Sequence, residues 1–254
     1  MTGPKTAAVV VWTPGDDDPT KALESLAEQV DELVLVANGG RPATVPHGVR
    51  ILDNERPQGV GANINRGIEE TAAAFVVTAN PDTEALPGSV ATLRRFAEEH
   101  PRCAIAGPQL RYPDGTWQPS RRRWPTVSGT LVRRTPLRLV FKPQERQRSH
   151  YLFDERPTQP TQADWILSAF LLLRREAMDE LGGYDAGFRL YGDEIDLAYR
   201  ARQVGWERWY VPEAIVIHHH QAVTDHRFLT RRTLWHWRSI IRFVRKHPER
   251  LRSL

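Results

Sequence analysis

The feature that most constrains this chain is a regular alternation, through its first hundred residues, of short apolar runs with stretches of helical character. Ala7–Thr13, Leu33–Ala37, Arg50–Leu52, Phe75–Ala79 and Ala104–Ala106 are too short for buried helices and rich in β-branched residues, so they read as buried strands. Asp18–Pro19 predicts an N-cap with proline at the first helical position and a helix to about Gln29. Gly59–Val60–Gly61 leads into a second helix over roughly Ala62–Ala73, and Pro87–Gly88 opens a third. Strands joined through helices pair in parallel by right-handed crossovers. The predicted fold is therefore α/β, a Rossmann-like, mostly parallel sheet flanked by helices. At 254 residues and 40% hydrophobic, the chain can build one large domain of this kind with a helical appendage.

The second half departs from the alternation. Pro113–Asp114–Gly115 predicts a hairpin turn between Leu110–Tyr112 and Thr116–Gln118. The polar stretch 141–162 predicts a mobile loop. Ser168–Leu173 is a strand, Glu176–Leu181 a helix ended by Gly182–Gly183, and Glu194–Gln203 a helix stopped by Gly205. Trp209–Val211 and Ile215–Ile217 read as two strands, followed by a long helix over about Phe228–His247. In that helix Leu234, Trp237, Ile241 and Val244 share one face.

Charge divides the chain as its elements do. From Arg227 to Leu254 there are nine Lys/Arg and one acid, Glu249, a net +8; with the whole chain at +4, the residues before them carry −4. This separates a domain over 1–226 from a basic amphipathic helix over 227–254. Such a helix is either a solvated face or a contact for something anionic; no nucleic-acid recognition motif accompanies it, so no nucleic-acid partner is expected. The lone Cys103 excludes an internal disulfide and fits a reducing, cytoplasmic setting. The N-terminal apolar stretch is too short for a signal sequence, and no run approaches the ~20 apolar residues of a membrane span, so the expectation is a soluble or peripheral protein.

Four segments can carry chemistry. Asn80–Pro81–Asp82 ends a buried parallel strand, where ligands of open α/β sheets bind, and a carboxylate there can hold a hard cation such as Mg²⁺ or Mn²⁺; an Asx-Pro turn is the plainer account. Asp193–Glu194–Ile195–Asp196 puts three carboxylates at a helix start, either as capping groups or as a general base with its neighbour, and Asp196 can pair with Arg200 one turn on. His218–His219–His220 follows a strand and could complete a metal site begun by Asp82, or be structural. Gly59–Val60–Gly61, with Asn63 and Arg66 on the next turn, makes a helix start that suits anions. Its spacing is not the dinucleotide fingerprint, which discounts a nicotinamide enzyme.

Taken in order, these pieces resemble glycosyltransferase family 2, of GT-A fold, and within it the rhamnosyltransferase-like group that builds bacterial cell-surface polysaccharides. The resemblance rests on Val11–Trp12–Thr13, Asn63–Ile64–Asn65–Arg66–Gly67, Asn80–Pro81–Asp82–Thr83, Asp114–Gly115 and Arg122–Arg123–Trp124–Pro125. It continues through Asp164–Trp165, Arg174–Arg175–Glu176–Ala177, Gly182–Gly183–Tyr184–Asp185, Asp196–Leu197 with Arg200, and Pro212–Glu213–Ala214–Ile215–Val216–Ile217–His218, so that it covers about residues 7–220. It implies an inverting transfer of a sugar from a nucleotide-diphosphate donor to a hydroxyl of a glycan or lipid-linked saccharide in cell-wall polysaccharide synthesis. Asp82 and His218 would meet a Mg²⁺ or Mn²⁺ cofactor. Thr13, Asn38, Asn63, Arg66, Asn80, Asp82 and Trp165 would contact the donor, and Glu194 or Asp193 would be the base.

Three positions depart from the family pattern. Val36–Ala37–Asn38 lacks the aspartate that meets the nucleotide base, Asp193–Glu194 reverses the usual acid order, and Ser168 replaces a glycine. Two other functions fit a similar sheet: a sugar-nucleotidyltransferase, disfavoured because acidic Asp16–Asp17–Asp18 would repel a triphosphate, and a non-catalytic nucleotide-sugar-binding or scaffold protein. The C-terminal helix is expected either to lie peripherally on the inner face of an anionic membrane, near a lipid-linked acceptor, or to pack on the domain or on a second copy in a homodimer.

Overall fold

The structure, a computed structural model, describes residues 5–125, 155–189, 191–219 and 231–251. The strands are β1 (Thr6–Trp12), β2 (Glu32–Asn38), β3 (Arg50–Asn54), β4 (Phe75–Ala79), β5 (Thr83–Ala85), β6 (Cys103–Arg111), β7 (Trp117–Gln118), β8 (Arg121–Arg122), β9 (Thr161–Gln162), β10 (Trp165–Ile166), β11 (Phe170–Arg174) and β12 (Glu207–His218). The helices are α1 (Thr20–Ala27), α2 (Val60–Glu69), α3 (Ser89–Glu99), α4 (Arg175–Leu181), α5 (Asp193–Gln203) and α6 (Arg231–Lys246).

The main sheet runs β3-β2-β1-β4-β11-β6-β12-β5. β1, β2, β3 and β4 are mutually parallel; β11 is antiparallel to both β4 and β6, and β12 is parallel to β6. β4, β6 and β12 therefore point the same way as β1, and their carboxyl ends share one edge of the sheet. Alternation along β1 feeds two cores. Ala7 and Val9 join Val34, Val36, Ile64 and Ile68 on one face, while Ala8 and Val10 join Leu23, Leu26, Leu33 and Leu35 on the other. The sheet is thus covered on both faces, as a parallel sheet must be.

The predicted helix start at Asp18 is present: Asp18 Oδ1 accepts from Thr20 N at 3.0 Å and from Thr20 Oγ1 at 2.7 Å. The predicted hairpin at Pro113–Gly115 is also present, closed by Gly115 N on the Tyr112 carbonyl at 2.8 Å.

The sequence reading needs correction in four places. Trp209–Val211 and Ile215–Ile217 are one strand, β12, interrupted by a register shift between Val211 and Ile215. Pro212 has no N–H for the ladder, so the chain bulges there and continues. β6 extends well past Ala106, because Gly107 is a close-packing site rather than a terminator: Ile166 Cγ2 would lie 2.5 Å from a β-carbon there. α2 ends at Glu69, where the Thr71 hydroxyl donates to the Ile68 carbonyl at 2.9 Å. The three-residue β5, antiparallel to β12, has no sequence counterpart at all. Most of the loop predicted over 141–162 lies outside the described residues, as do His220 and residues 227–230 of the predicted terminal helix.

A further difference concerns α6. It docks through Ser239, Phe243 and His247, and not through the predicted Leu234–Trp237–Ile241–Val244 stripe. No helix among the described residues is long and apolar enough to cross a membrane.

Candidate active site

The carboxyl edge of the sheet gathers most of the residues singled out from the sequence. Asn38, buried at the end of β2, donates from Nδ2 to Thr13 Oγ1 at 3.1 Å and exchanges two further hydrogen bonds with the Gln58 backbone. It ties together the loops that follow β1, β2 and β3. At the end of β4 the Asn80–Thr83 turn is held through the Asn80 carbonyl, which accepts from Thr83 Oγ1 at 2.7 Å and Thr83 N at 3.3 Å. The side-chain amide of Asn80 takes no part in the turn.

β5 then determines where Asp82 goes. Its antiparallel pairing sets Thr83 opposite His218, the last residue of β12, and His219 N donates to the Asp82 carbonyl at 2.8 Å. The Asp82 carboxylate is thereby brought to 3.3 Å from His218 Nε2. On the far side of the ring, His218 Nδ1 lies 2.9 Å from Gln118 Oε1. With Nδ1 turned to Gln118, Nε2 is the ring nitrogen that faces Asp82. Gln118 is buried, delivered by the hairpin strand β7, and sequence reasoning missed it because a lone glutamine carries no motif. His219 turns elsewhere, 3.6 Å from Glu84.

The second half of the site is the entry to α5. Tyr191 has φ 62° and Gly192 φ 90°, two successive left-handed residues that fold the chain sharply into the helix. A left-handed tyrosine costs free energy and persists only where its surroundings hold it. Here the Tyr191 ring meets His236 of α6 edge-on at 5.3 Å. The turn presents Asp193 and Glu194, both buried. Glu194 Oε2 accepts from Gly192 N at 3.1 Å. Burial, followed by the charge of Asp193 beside it, pushes the Glu194 carboxyl well above the usual carboxylate range. The two neighbouring acids form a dyad in which the charge of Asp193 favours the protonated form of Glu194.

Gly59 and Gly61 have a packing reason. A β-carbon on Gly59 would lie 2.6 Å from the Phe188 carbonyl oxygen, and one on Gly61 2.9 Å from Tyr184 Cβ and 3.3 Å from Asp193 Oδ2. The two glycines let the start of α2 close against the loop that carries the dyad.

Other motif residues make ties within the domain. Asn63 is fully buried and bonded to Asn54, while Arg66 donates to the Asn54 side chain and to the Asp53 carbonyl at 2.8 Å. Asn65 clamps Tyr184 twice, donating to its carbonyl at 2.7 Å and accepting from its N–H at 2.8 Å. Trp165 is 3% exposed, and its indole donates to the Arg123 carbonyl at 2.8 Å. Arg174 and Arg175 donate to the Cys103 carbonyl at 2.9 Å and the Thr71 hydroxyl at 2.7 Å.

Asp196 does pair with Arg200, at 2.7 Å, and Arg200 in turn holds the Leu181 and Gly183 carbonyls. Asp196 is fully buried and also receives His247 Nε2 at 2.8 Å and Lys246 Nζ at 2.9 Å. Burial alone would raise its carboxyl, but the bonds from His247, Arg200 and Lys246 outweigh it and hold the group below its ordinary value. Arg242 and Lys246 likewise bind Asp185, at 2.7 and 2.8 Å. The terminal helix is therefore keyed to the helix that bears the dyad. Among the described residues, no group of three or more His, Cys, Asp or Glu could hold a metal ion, so any cation at Asp82 and His218 would need oxygen ligands from elsewhere.

Comparison with known proteins places the chain. Residues 20–182 match the family model described as glycosyl transferase family 2. The chain is 30% identical over 246 residues to the N-acetylglucosaminyl-diphospho-decaprenol L-rhamnosyltransferase of Mycobacterium tuberculosis, covering 86% of this chain and 77% of that one. Among solved structures it is similar to the mannosyltransferase PcManGT of Pyrobaculum calidifontis in complex with GDP-Man and Mn²⁺, at TM-score 0.60 and 11% identity, covering 98% of this chain and 65% of that one. It is also similar to GalNAc-T7 with UDP, GalNAc and Mn²⁺, at TM-score 0.67 and 17% identity over 95% of this chain, which spans about half (48%) of that protein.

Proposed function

The chain belongs to glycosyl transferase family 2, with rhamnosyltransferases among its relatives, and from that premise we propose that it is an inverting transferase. It would move a sugar from a nucleotide-diphosphate donor to a hydroxyl of a lipid-linked saccharide, in cell-wall polysaccharide synthesis. An L-rhamnosyl donor and a polyprenyl-diphosphate acceptor are the first to test, because the mycobacterial relative is named for both.

The observation that carries the reading is the approach of the Asp82 carboxylate to His218 Nε2 at 3.3 Å, with the other ring nitrogen committed to Gln118. A hard-oxygen ligand beside an imidazole nitrogen suits Mg²⁺ or Mn²⁺, and the Gln118 contact would be the outer-shell bond that orients a ligating histidine. Diphosphate oxygens and water would complete the shell. A bound cation would supply charge neutralisation of the departing diphosphate.

The protein's own groups would do the rest. The Asp193–Glu194 dyad takes the proton of the acceptor hydroxyl. That oxygen forms a bond to the anomeric carbon while the bond from carbon to diphosphate breaks on the opposite face. The products are the inverted glycoside and the nucleoside diphosphate. Asn38 and Thr13 lie at the strand ends where the nucleotide would rest, and Ala37 leaves its base to be read by groups other than a carboxylate on β2. A nucleotidyl-transfer reading is weaker, since Asp16, Asp17 and Asp18 stand exposed directly after β1.

A thermal-shift screen of nucleotide sugars with and without Mn²⁺ tests the reading. A ligand of the native state raises the midpoint, and the proposal expects a rise that needs nucleotide sugar and metal together. A set in which no sugar nucleotide stabilises the protein under either condition contradicts it.

A further inference from the structure

Helix α6 docks by one face and, among the described residues, leaves the opposite face exposed. Phe243 packs against the core, and Ser239 and His247 are buried beside it. Leu234 lies nine residues from Phe243, about two and a half turns, and so points away from the domain. It is 53% exposed, and Ile241, two turns further along the same side, is 48% exposed. They are two of only four large hydrophobic residues exposed among the described residues. Half-buried Trp237 and Val244 complete an apolar row along one edge of this face, while exposed Arg238 and Arg245 line the other. Arg231–Lys246 contains no acidic residue.

We infer that this outer face of α6 seats on an anionic phospholipid surface. The apolar row would enter the boundary between headgroups and acyl chains, and the arginines would meet lipid phosphates. The pattern of charge selects this occupant. A second copy paired through the same face would set arginines near arginines with no acid between them, whereas an anionic bilayer complements the arginines that this face presents. The ion pairs that hold α6 to Asp185 and Asp196 lie on its inner side, so seating would not break them.

The placement also suits the site. His236 touches Tyr191, and Arg189 stacks over Trp235 at 4.8 Å, so α6 lies beside the turn that presents Asp193 and Glu194. A helix resting on the bilayer would hold that turn close to the lipid surface.

The test is co-sedimentation of the full chain with vesicles, without donor or acceptor, so that its outcome is independent of the proposed reaction. Vesicles of phosphatidylglycerol mixed with phosphatidylcholine should bind the protein at least about tenfold more tightly than phosphatidylcholine alone, and roughly 0.5 M salt should weaken that binding. Leu234→Glu/Ile241→Glu should lose vesicle binding by a similar factor. Since both side chains point outward, the variant should keep the thermal midpoint and any transfer to a water-soluble acceptor. Arg238→Gln/Arg245→Gln should weaken binding to the anionic vesicles alone. The inference is overturned if the intact protein ignores phosphatidylglycerol, or if Leu234→Glu/Ile241→Glu binds as well as the parent. It is equally overturned if light scattering shows a dimer that this variant dissociates, which would make the face a contact between copies.

Discussion

At the scale of single residues, two pairs of side chains carry the account, and each can be removed without disturbing the core. Asp82→Ala takes away the carboxylate beside His218 while leaving the β5–β12 pairing, which is made by backbone. Metal-dependent donor affinity should fall by at least about tenfold in calorimetry with the thermal midpoint nearly unchanged; unchanged affinity would remove Asp82 from the site. For the dyad, Glu194→Gln keeps the shape and abolishes proton acceptance, so transfer should fall by at least about 10²-fold with donor binding retained. If Asp193→Asn is the inactive variant and Glu194→Gln stays active, the roles within the dyad are exchanged. The raised carboxyl of Glu194 fixes the direction of the pH dependence. A base must be deprotonated to act, so kcat/KM should climb with pH through an inflection above the ordinary carboxylate range. The same shift bears on folding. A group whose folded pKa is raised contributes stability below its unfolded pKa and loses it as pH rises through the folded one. Glu194→Gln should therefore raise the midpoint at neutral pH, with the gain shrinking in acid. A carboxylate kept at a cost in stability is what a site retained for chemistry would show.

At the scale of elements, the motif helix α2 and the dyad helix α5 are assembled by close approach and by one buried carboxylate. A β-carbon at Gly67 would lie 2.4 Å from Val9 Cγ1 on the central strand, so Gly67→Ala should destabilise by about 1–3 kcal/mol in denaturant unfolding. A neutral result would mean that α2 can shift away from β1. Asp196 accepts from Arg200, Lys246 and His247, and Asp196→Ala leaves the two charged groups among them facing a gap. The expected cost is roughly 3 kcal/mol. Because its carboxyl is held low, that stabilisation should persist above the unfolded carboxylate pKa and be lost only as pH falls through the folded value. Much of this assembly was legible in the sequence. β1, β2 and β4 were placed within about a residue because a buried parallel strand announces itself as a short apolar run. The pairing of Asp196 with Arg200 followed from helical spacing. What could not be read was β5, since three residues carry no period, and with it the reason Asp82 meets His218. Gln118 and the left-handed Tyr191 were equally silent, because both owe their roles to partners distant in sequence. The face of α6 was legible as a stripe, but not which side would dock: hydrophobic spacing names a stripe, whereas the Asp185 and Asp196 ion pairs chose the other side.

At the scale of the whole molecule, a sheet covered on both faces leaves its carboxyl edge as the natural place for a ligand, and both proposed reacting groups stand there: the Asp82–His218 pair at the ends of β4 and β12, and the dyad against the start of α2. The domain reading over 1–226 and the helix after it becomes, in three dimensions, one assembly in which the terminal helix braces the turn that bears the dyad. The measurement that tests the central claim most directly is a transfer assay. It uses the intact protein, Mn²⁺, a nucleotide-diphosphate L-rhamnose and a polyprenyl-diphosphate-linked N-acetylglucosamine acceptor, with the anomeric configuration of the new linkage read by NMR. The account predicts release of nucleoside diphosphate matched one for one by a glycoside of inverted configuration, lost in Glu194→Gln. A product of retained configuration would contradict the direct displacement, and no transfer from any nucleotide sugar that the protein binds would contradict the enzyme itself.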